Sequence, residues 1–178
     1  MRLHVGCGDV HLGGYENIDI RFLPGVDEVD NAAYLRKFRG KSISEIYACH
    51  VLEHFTRWEV KNVLHRWYNL LEPKGLLRLS VPDFQAIAFA YANDWELEDL
   101  MGLLYGGQDY AENFHYHVWD YVSLKACLEK IGFKNIARYN WHEHKCGVDD
   151  YSKCYLPHLD FENGMLMSLN VVAEKPNE

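Results

Sequence analysis

The stretch Leu3-His4-Val5-Gly6-Cys7-Gly8-Asp9, at the start of the chain, decides which fold the sequence predicts. An apolar run stops there at a Gly-x-Gly turn, and a second short run, residues 15–20, ends close to the acid Asp19. A strand, a glycine turn and an acid-tipped strand are typical of a nucleotide-binding α/β sheet. Because a Gly-x-Gly pair also serves ordinary tight turns, the choice between a turn and a binding loop depends on the rest of the chain.

The connection between these two runs is short. The ten residues 6–15 lead from the first run into the second, and Gly13-Gly14 interrupts any helix that begins at Asp9. A parallel crossover normally needs about a dozen residues and usually includes a helix. Since a dinucleotide site places its pyrophosphate on the N-terminus of that helix, the short connection favours a ligand without phosphates.

The following segments alternate between strand and helix patterns. Strands are predicted at residues 26–29, 44–49 and 76–81, and Thr56 with Glu59 forms a capping box that begins an amphipathic helix before the last of them. This order predicts a doubly wound, mostly parallel α/β sheet.

The second half of the chain carries further start signals for helices. Asp83 and Asp94 are predicted to cap one helix each, and Ser123 or Asp120 a third. A final strand is predicted at residues 165–173, after an irregular segment.

Composition limits the class of molecule. The 178 residues suffice for one domain, residues 1–178, and 48% hydrophobic with 25% charged residues is a globular composition. The net charge of −8 argues against nucleic acid as the main partner. No apolar run approaches a membrane span, and the first residues suit a buried strand rather than a signal peptide. Five scattered cysteines without a Cys-x-x-Cys pair predict free thiols and a cytoplasmic location.

Four segments in order resemble the class I S-adenosylmethionine-dependent methyltransferases. They are Val-Gly-Cys-Gly at 5–8, Tyr-Glu-Asn-Ile-Asp at 15–19, Tyr-Ala-Cys-His-Val-Leu-Glu-His at 47–54 and Leu-Glu-Pro-Lys-Gly-Leu at 71–76. The small bacterial type-11-like branch, often associated with cell-surface sugar and polysaccharide genes, matches best. The resemblance spans nearly the whole chain and implies a Rossmann-like sheet of seven strands with an antiparallel last strand, shortened at the N-terminus. It also implies S-adenosylmethionine as cofactor and S-adenosylhomocysteine as product.

The resemblance carries cofactor-binding roles over to particular positions. The turn Gly6-Cys7-Gly8 would pass under the methionine part of the cofactor, and His50 would lie beside the sulfonium methyl. Asp19 would hold the ribose, and Ile20 would pack on the adenine. Asn31 stands where the family often has an acid that faces the adenine amino group.

Three features depart from the family pattern. His4 stands where an acid usually grips the cofactor's amino group, and Val10 stands where a third glycine often follows. The helices that usually precede the first strand are missing, which suggests an open pocket, closed by a His-rich segment or by a second subunit of a homodimer. We expect residues 105–122 and 140–166 to be substrate-side insertions that form such a lid.

Histidines supply the candidates for catalysis. Methyl transfer mainly requires that the acceptor lies about 3–3.5 Å from the methyl carbon, and a histidine base suits a hydroxyl acceptor near neutral pH. We predict catalytic roles for His50 and His117, with Glu53 able to orient a histidine, and a small polar acceptor such as a sugar or sugar nucleotide. Alternatively, His50 and Glu53 form only a local hydrogen-bonded corner, and His54 packs against the following helix. His115, which alternates with His117, is a weaker candidate.

A second group of histidines and cysteines lies in the tail. His142, His144 and Cys146 alternate, and Cys154 and His158 follow, but this spacing matches no zinc pattern. The sequence therefore predicts no metal site.

Two other functions remain open at this point. A nicotinamide-dependent oxidoreductase would use the same kind of sheet, but the short first connection and the lack of a Tyr-x-x-x-Lys pair count against it. A degenerate methyltransferase fold that binds only cofactor, or only a partner protein, stays open because of His4 and the missing N-terminal helices.

Overall fold

The computed structural model describes residues 1–143 and 149–177, and of residue 143 only the backbone. Its main sheet has seven strands in the order β3-β2-β1-β4-β5-β9-β6. Their bounds are β1 (Arg2–Val5), β2 (Glu16–Asp19), β3 (Glu28–Val29), β4 (Ile43–Cys49), β5 (Leu71–Pro82), β6 (Lys134–Arg138) and β9 (Ser168–Glu174).

The strand directions confirm the predicted fold. Strands β1 to β5 pair in parallel, whereas β9 runs antiparallel to both β5 and β6 between which it lies. The sheet is thus mostly parallel with an antiparallel last strand. A loop connects β1 to β2, as the short first connection predicts.

Four α-helices and a small hairpin complete the described part of the chain. The helices are α1 (Val60–Leu70), α2 (Phe84–Ala92), α3 (Leu97–Tyr105) and α4 (Tyr121–Ile131), and the hairpin strands are β7 (Tyr155–Leu156) and β8 (Met165–Leu166). Short 3-10 turns lie at Arg36–Phe38, Leu52–His54, Trp141–Glu143 and Tyr151–Lys153.

Two of the predicted helix caps are confirmed and one is wrong. Asp83 accepts the Gln85 N–H at 3.0 Å, and Asp120 forms a capping box with Ser123. Asp94 has φ 64°, and α3 begins only after Glu96. A left-handed residue cannot serve as an N-cap, which needs extended backbone.

The helix start and the strand after it also differ from the prediction. The Thr56 N–H and hydroxyl both donate to the Glu59 carboxylate, at 3.0 and 2.7 Å, so only half of the capping box forms and α1 begins at Val60. Strand β5 begins at Leu71, five residues before the predicted start, because Leu71 already pairs with Ile43 of β4.

The two faces of the sheet differ in chemistry. One face, which we call the apolar face, contributes Leu3, Ile18, Ile46, Leu79 and Val171 to the main core, together with side chains of α1 and α4. Side chains alternate along a strand, so the next residue of each strand points the other way. That opposite face, which we call the polar face, carries the buried residues His4, Asn17, Tyr47, Ser80 and Asn170.

Loops cover the polar face through hydrogen bonds. The Leu12 N–H donates to Asn17 Oδ1 at 2.8 Å, and Asn170 Nδ2 donates to the Ser152 carbonyl at 2.8 Å. The Tyr47 hydroxyl reaches Asp150. Buried polar side chains of this face are satisfied in this way by the loop at Leu12 and by residues 150–152.

Candidate functional site

The glycine turn at the end of β1 is shaped by its neighbours. Gly6 and Gly8 have φ 67° and 54°, and a Cβ at Gly6 would lie 2.3 Å from Val51 Cγ2. Cys7 is buried, and burial, followed by the charge of Asp19, raises the pKa of its thiol to about 12. The thiol therefore stays protonated and serves packing rather than nucleophilic chemistry.

Asp19, at the carboxyl end of β2, is tied to this turn. Its Oδ2 accepts the Gly8 N–H at 2.8 Å, and its Oδ1 accepts the backbone N–H of Arg21 at 2.9 Å and Arg21 Nε at 3.2 Å. The Arg21 guanidinium lies 4.3 Å from the centre of the Tyr110 ring. A residue of the 105–122 segment is thus connected to Asp19 through one arginine.

The predicted adenine-side residues follow the next strand ends. Ile20 is 41% exposed directly after Asp19. Asn31 follows β3, and its Oδ1 accepts the Ala33 N–H at 2.8 Å, which fixes the loop there. Because β1 to β4 are neighbours in the sheet, their carboxyl ends bring the glycine turn, Asp19, Asn31 and His50 to one edge.

His50, immediately after β4, has an uncommon backbone. Its φ is 53°, and its N–H donates to the Ser80 carbonyl at 2.8 Å. A non-glycine residue in this left-handed region costs free energy, and such residues are concentrated at functional sites. Its ring places Nε2 2.8 Å from Ser168 Oγ and Nδ1 3.4 Å from Glu53 Oε1.

Glu53 is the most unusual group of the site. It is fully buried in the 3-10 turn Leu52–His54, and neither carboxylate oxygen has a hydrogen-bond partner among the described residues. Burial raises the pKa of Glu53 to about 8. Burial, followed by the charges of His115 and His54, lowers the pKa of His50 to about 3. The site therefore holds neutral imidazole next to a carboxyl group that lacks a donor.

Two histidines complete this corner. His54 Nδ1 lies 3.1 Å from the Phe114 carbonyl oxygen and His115 Nδ1 lies 2.9 Å from the Leu103 carbonyl oxygen. Their rings meet edge to face at 4.8 Å, and His115 Nε2 lies 4.0 Å from Glu53 Oε1. Burial lowers the pKa of both, to about 4 for His115.

The structure therefore groups the histidines differently from the sequence prediction. His50 and Glu53 are together, but the partners that join them are His54 and His115. The ring of His117 instead stacks on Trp119 at 4.0 Å, with its pKa lowered by burial and then by the charge of Arg57. The sequence indicated the His-rich segment but not its approach to Glu53, where the Tyr116 N–H donates to the Glu53 carbonyl at 2.8 Å.

The tail that the sequence analysis considered for zinc is only partly described. The ring of His142 stacks on Trp141 at 3.4 Å. His144 and Cys146 lie outside the described residues. Among the described residues, no helix combines the length and hydrophobicity that crossing a membrane requires.

Comparison with known proteins identifies the family of the chain. A family model described as a methyltransferase domain matches residues 15–138, which is more than half of the chain. No curated protein sequence is significantly similar to the chain.

Solved structures share the fold at low sequence identity. A SAM-dependent methyltransferase from Methanosarcina mazei has a TM-score of 0.60 at 18% identity, over 99% of this chain and 92% of that one. An N1-methyltransferase from Burkholderia thailandensis was solved with 1,6-didemethyltoxoflavin and S-adenosylhomocysteine. It has a TM-score of 0.59 at 16% identity, and the match covers 99% of this chain and 71% of that one. A possible exported protein from Bordetella parapertussis has a TM-score of 0.57 at 14% identity. The match covers 99% of this chain, which spans only 62% of the length of that protein.

Proposed function

Because the chain belongs to the methyltransferase domain family, we propose that it transfers a methyl group from S-adenosylmethionine to a small polar acceptor and releases S-adenosylhomocysteine. The SAM-dependent enzymes among the structural neighbours support this cofactor. The observation that carries the proposal is the position of Asp19, tied to the glycine turn at the carboxyl edge of the sheet. When bound, the cofactor supplies an activated methyl group on a sulfonium, so the chain's own residues have to bind, orient and exclude water.

The cofactor-binding residues would be those that this edge brings together. They are Gly6, Cys7, Gly8, Asp19, Ile20, Asn31 and His50. An ionised carboxylate has about four lone-pair positions, and the Asp19 carboxylate already accepts three donors. Two of these come from Arg21, whose side chain is 31% exposed. A ribose can therefore bind Asp19 fully when the Arg21 side chain moves towards solvent.

For the acceptor we propose a hydroxyl of a sugar, a sugar nucleotide or a related metabolite. His117 and His50 are the candidate bases, and Glu53 orients His50 across 3.4 Å. A base works best when its pKa lies near the working pH, so the low pKa of His50 makes His117 the better matched of the two. Residues 105–122 and 140–166 would cover the acceptor, and the cysteine pattern supports a cytoplasmic location.

Calorimetric titration with S-adenosylmethionine, S-adenosylhomocysteine and NAD tests the cofactor. We expect S-adenosylmethionine and S-adenosylhomocysteine to bind. Asp19→Ala should lower the affinity for both about 10–100-fold, because hydrogen bonds to a charged group are lost. Glu16→Ala, at the other end of β2, is the matched control and should bind like the wild type. Binding of NAD alone would favour an oxidoreductase and contradict the proposal.

Turnover tests the base separately. In a screen of sugars and sugar nucleotides that measures released S-adenosylhomocysteine, His117→Ala should lower the rate about 10²–10⁴-fold without a change in cofactor affinity. His65→Ala, on α1, is the control. An unchanged rate in the His117 variant would remove this residue from the mechanism and leave His50 as the candidate.

One observation favours a second candidate function. The Arg21 side chain lies on the carboxylate that would hold the ribose, as expected of a degenerate fold that serves only as an interaction module. The same titration separates the two functions, since a protein that binds none of the three ligands fits the interaction module alone.

A further inference from the structure

The corner around Glu53 brings a buried carboxyl group and imidazole nitrogens together without a hydrogen bond between them. The Glu53 carboxylate is fully buried, and both of its oxygens lack a hydrogen-bond partner among the described residues. Buried carboxylates in proteins are normally paired with a cation or bound to a metal. The groups that surround this one are imidazoles.

Hydrogen bonds to backbone carbonyls fix the proton positions on two of these rings. The Phe114 and Leu103 carbonyl oxygens can only accept, so Nδ1 of His54 and Nδ1 of His115 carry the protons. A neutral imidazole then has its lone pair on Nε2. In His115 this nitrogen is the atom that lies 4.0 Å from Glu53 Oε1.

The hydrogen bonds of His50 likewise determine which of its ring nitrogens carries the proton. The Ser168 hydroxyl donates its only proton to the Tyr151 carbonyl at 2.6 Å, so its oxygen has to accept from His50 Nε2 at 2.8 Å. The lone pair of neutral His50 is therefore on Nδ1, which lies 3.4 Å from Glu53 Oε1. The lone pairs of His50 and His115 thus both lie near Glu53 Oε1, and neither forms a hydrogen bond with it.

A metal cation would bind the lone pair of His115 and the Glu53 carboxylate together. Glu53, His54 and His115 each offer one ligand atom, and these three atoms lie within 4.8 Å of one another. Atoms bound to one zinc ion at about 2.0–2.2 Å can lie up to about 4 Å apart, so small side-chain movements suffice. We propose that Glu53, His54 and His115 form a binding site for a divalent transition-metal ion such as Zn²⁺.

The surroundings of the three ligands match this role. Metal-binding histidines usually donate the other ring N–H to a carbonyl or carboxylate, which fixes the ring, and Nδ1 of His54 and of His115 would do so here when Nε2 is the ligand atom. Two imidazoles with one carboxylate suit zinc, iron, nickel or copper, whereas magnesium and calcium prefer oxygen ligands alone.

This site differs from the tail residues that the sequence analysis considered for zinc, and it replaces the prediction of no metal. It also gives Glu53 a role as ligand instead of partner of a base. If the proposed methyl transfer is correct, a metal at this corner would assist it by lowering the pKa of a bound hydroxyl acceptor. That consequence rests on the proposed function, whereas the metal site itself does not.

Titration of the metal-stripped full chain with Zn²⁺ alone, without S-adenosylmethionine, tests the site. We expect one equivalent to bind, and Glu53→Gln and His115→Gln to weaken this binding about 100-fold or more, since even residues behind metal ligands change affinity by about 10–100-fold. His65→Gln, on α1, is the matched histidine control and should bind like the wild type. No binding, or equal affinity in all variants, would overturn the proposal, and so would tighter binding of Mg²⁺ than of Zn²⁺.

Thermal unfolding gives a second measurement in case a variant loses affinity through misfolding. In metal-free protein, Glu53→Gln should leave Tm unchanged or raise it, because the amide N–H can donate to the neighbouring imidazole. Zn²⁺ should then raise Tm of the wild type and not of the variant. A variant that melts earlier than metal-free wild type and gains the same increase with Zn²⁺ would contradict the site.

Discussion

The apolar and polar faces of the sheet are buried in opposite ways. Helices α1 and α4 cover the apolar face by contact between hydrocarbon side chains, and such contact does not depend on direction. Loops cover the polar face partly by hydrogen bonds between particular atoms, as between Asn17 and the Leu12 N–H, and partly by a small apolar cluster of Leu12, Tyr47 and Cys49. The polar face can therefore build a site for a polar ligand, whereas the apolar face supplies stability.

The comparison also explains the departure at His4. Its side chain lies on the polar face, with Nδ1 3.2 Å from Asn17 Oδ1 and its ring 5.3 Å from the ring of Tyr47. His4 is only 2% exposed. It thus contributes to the layer that joins β1, β2 and β4, where the family pattern has an acid for the cofactor's amino group.

The largest expected effect comes from a substitution that would open a cavity in the core under the apolar face. Leu79→Ala should lower the free energy of unfolding by about 2–5 kcal/mol, because Leu79 is 1% exposed and its neighbours cannot fill the space. Urea unfolding followed by circular dichroism measures the change. Leu97→Ala, at a position that is 49% exposed on α3, is the control and should change stability by about 0.5 kcal/mol or less.

A smaller effect is expected on the polar face. Asn170→Ala removes the acceptor of the Ser80 hydroxyl and the donor to the Ser152 carbonyl, which should cost about 1–3 kcal/mol. Ser80→Ala with Asn170→Ala forms a double-mutant cycle that isolates their contact. Exactly additive costs would mean that the hydrogen bond across this face contributes nothing, and the contrast between the faces would weaken.

The next smaller effect concerns the N-terminal cap of α4, the helix that packs on the apolar face. Asp120 accepts the Ser123 N–H at 2.7 Å and begins α4. Asp120→Ala should lower the free energy of unfolding by about 1 kcal/mol, since one backbone donor of the helix loses its partner. Asp120→Asn, which still caps, should retain most of the stability in the same urea experiment; an equal loss in both variants would point to charge instead of capping.

The smallest effect is a dependence on pH. The backbone N–H of Asn17, and then its side-chain amide, lower the pKa of Asp27 below its ordinary value of 3.8. Because the folded pKa is the lower one, this stabilisation is complete above about pH 3.8 and is lost as the pH falls through the folded pKa. Asp27→Asn should flatten the decline of stability between pH 4 and pH 2, measured by urea unfolding. A slope equal to that of the wild type would contradict this account.

Local patterns predicted much of the fold, and contacts between distant segments account for the rest. The caps at Asp83 and Asp120 need only neighbouring residues, and the resemblance is confirmed at the level of the methyltransferase family. The acceptor, the base and the branch stay predictions. The approach of Phe114 to His54 joins residues sixty positions apart, so no local pattern could indicate it.

The 105–122 segment touches the site at two places. Tyr110 reaches Asp19 through Arg21, and the Tyr116 N–H binds the Glu53 carbonyl. If a ligand displaced the segment at one of these places, and its contacts at the other changed as a result, the proposed metal and the proposed cofactor would be coupled. Thermodynamic linkage then requires a symmetric response, in which a metal at Glu53 changes cofactor affinity by the same factor by which the cofactor changes metal affinity.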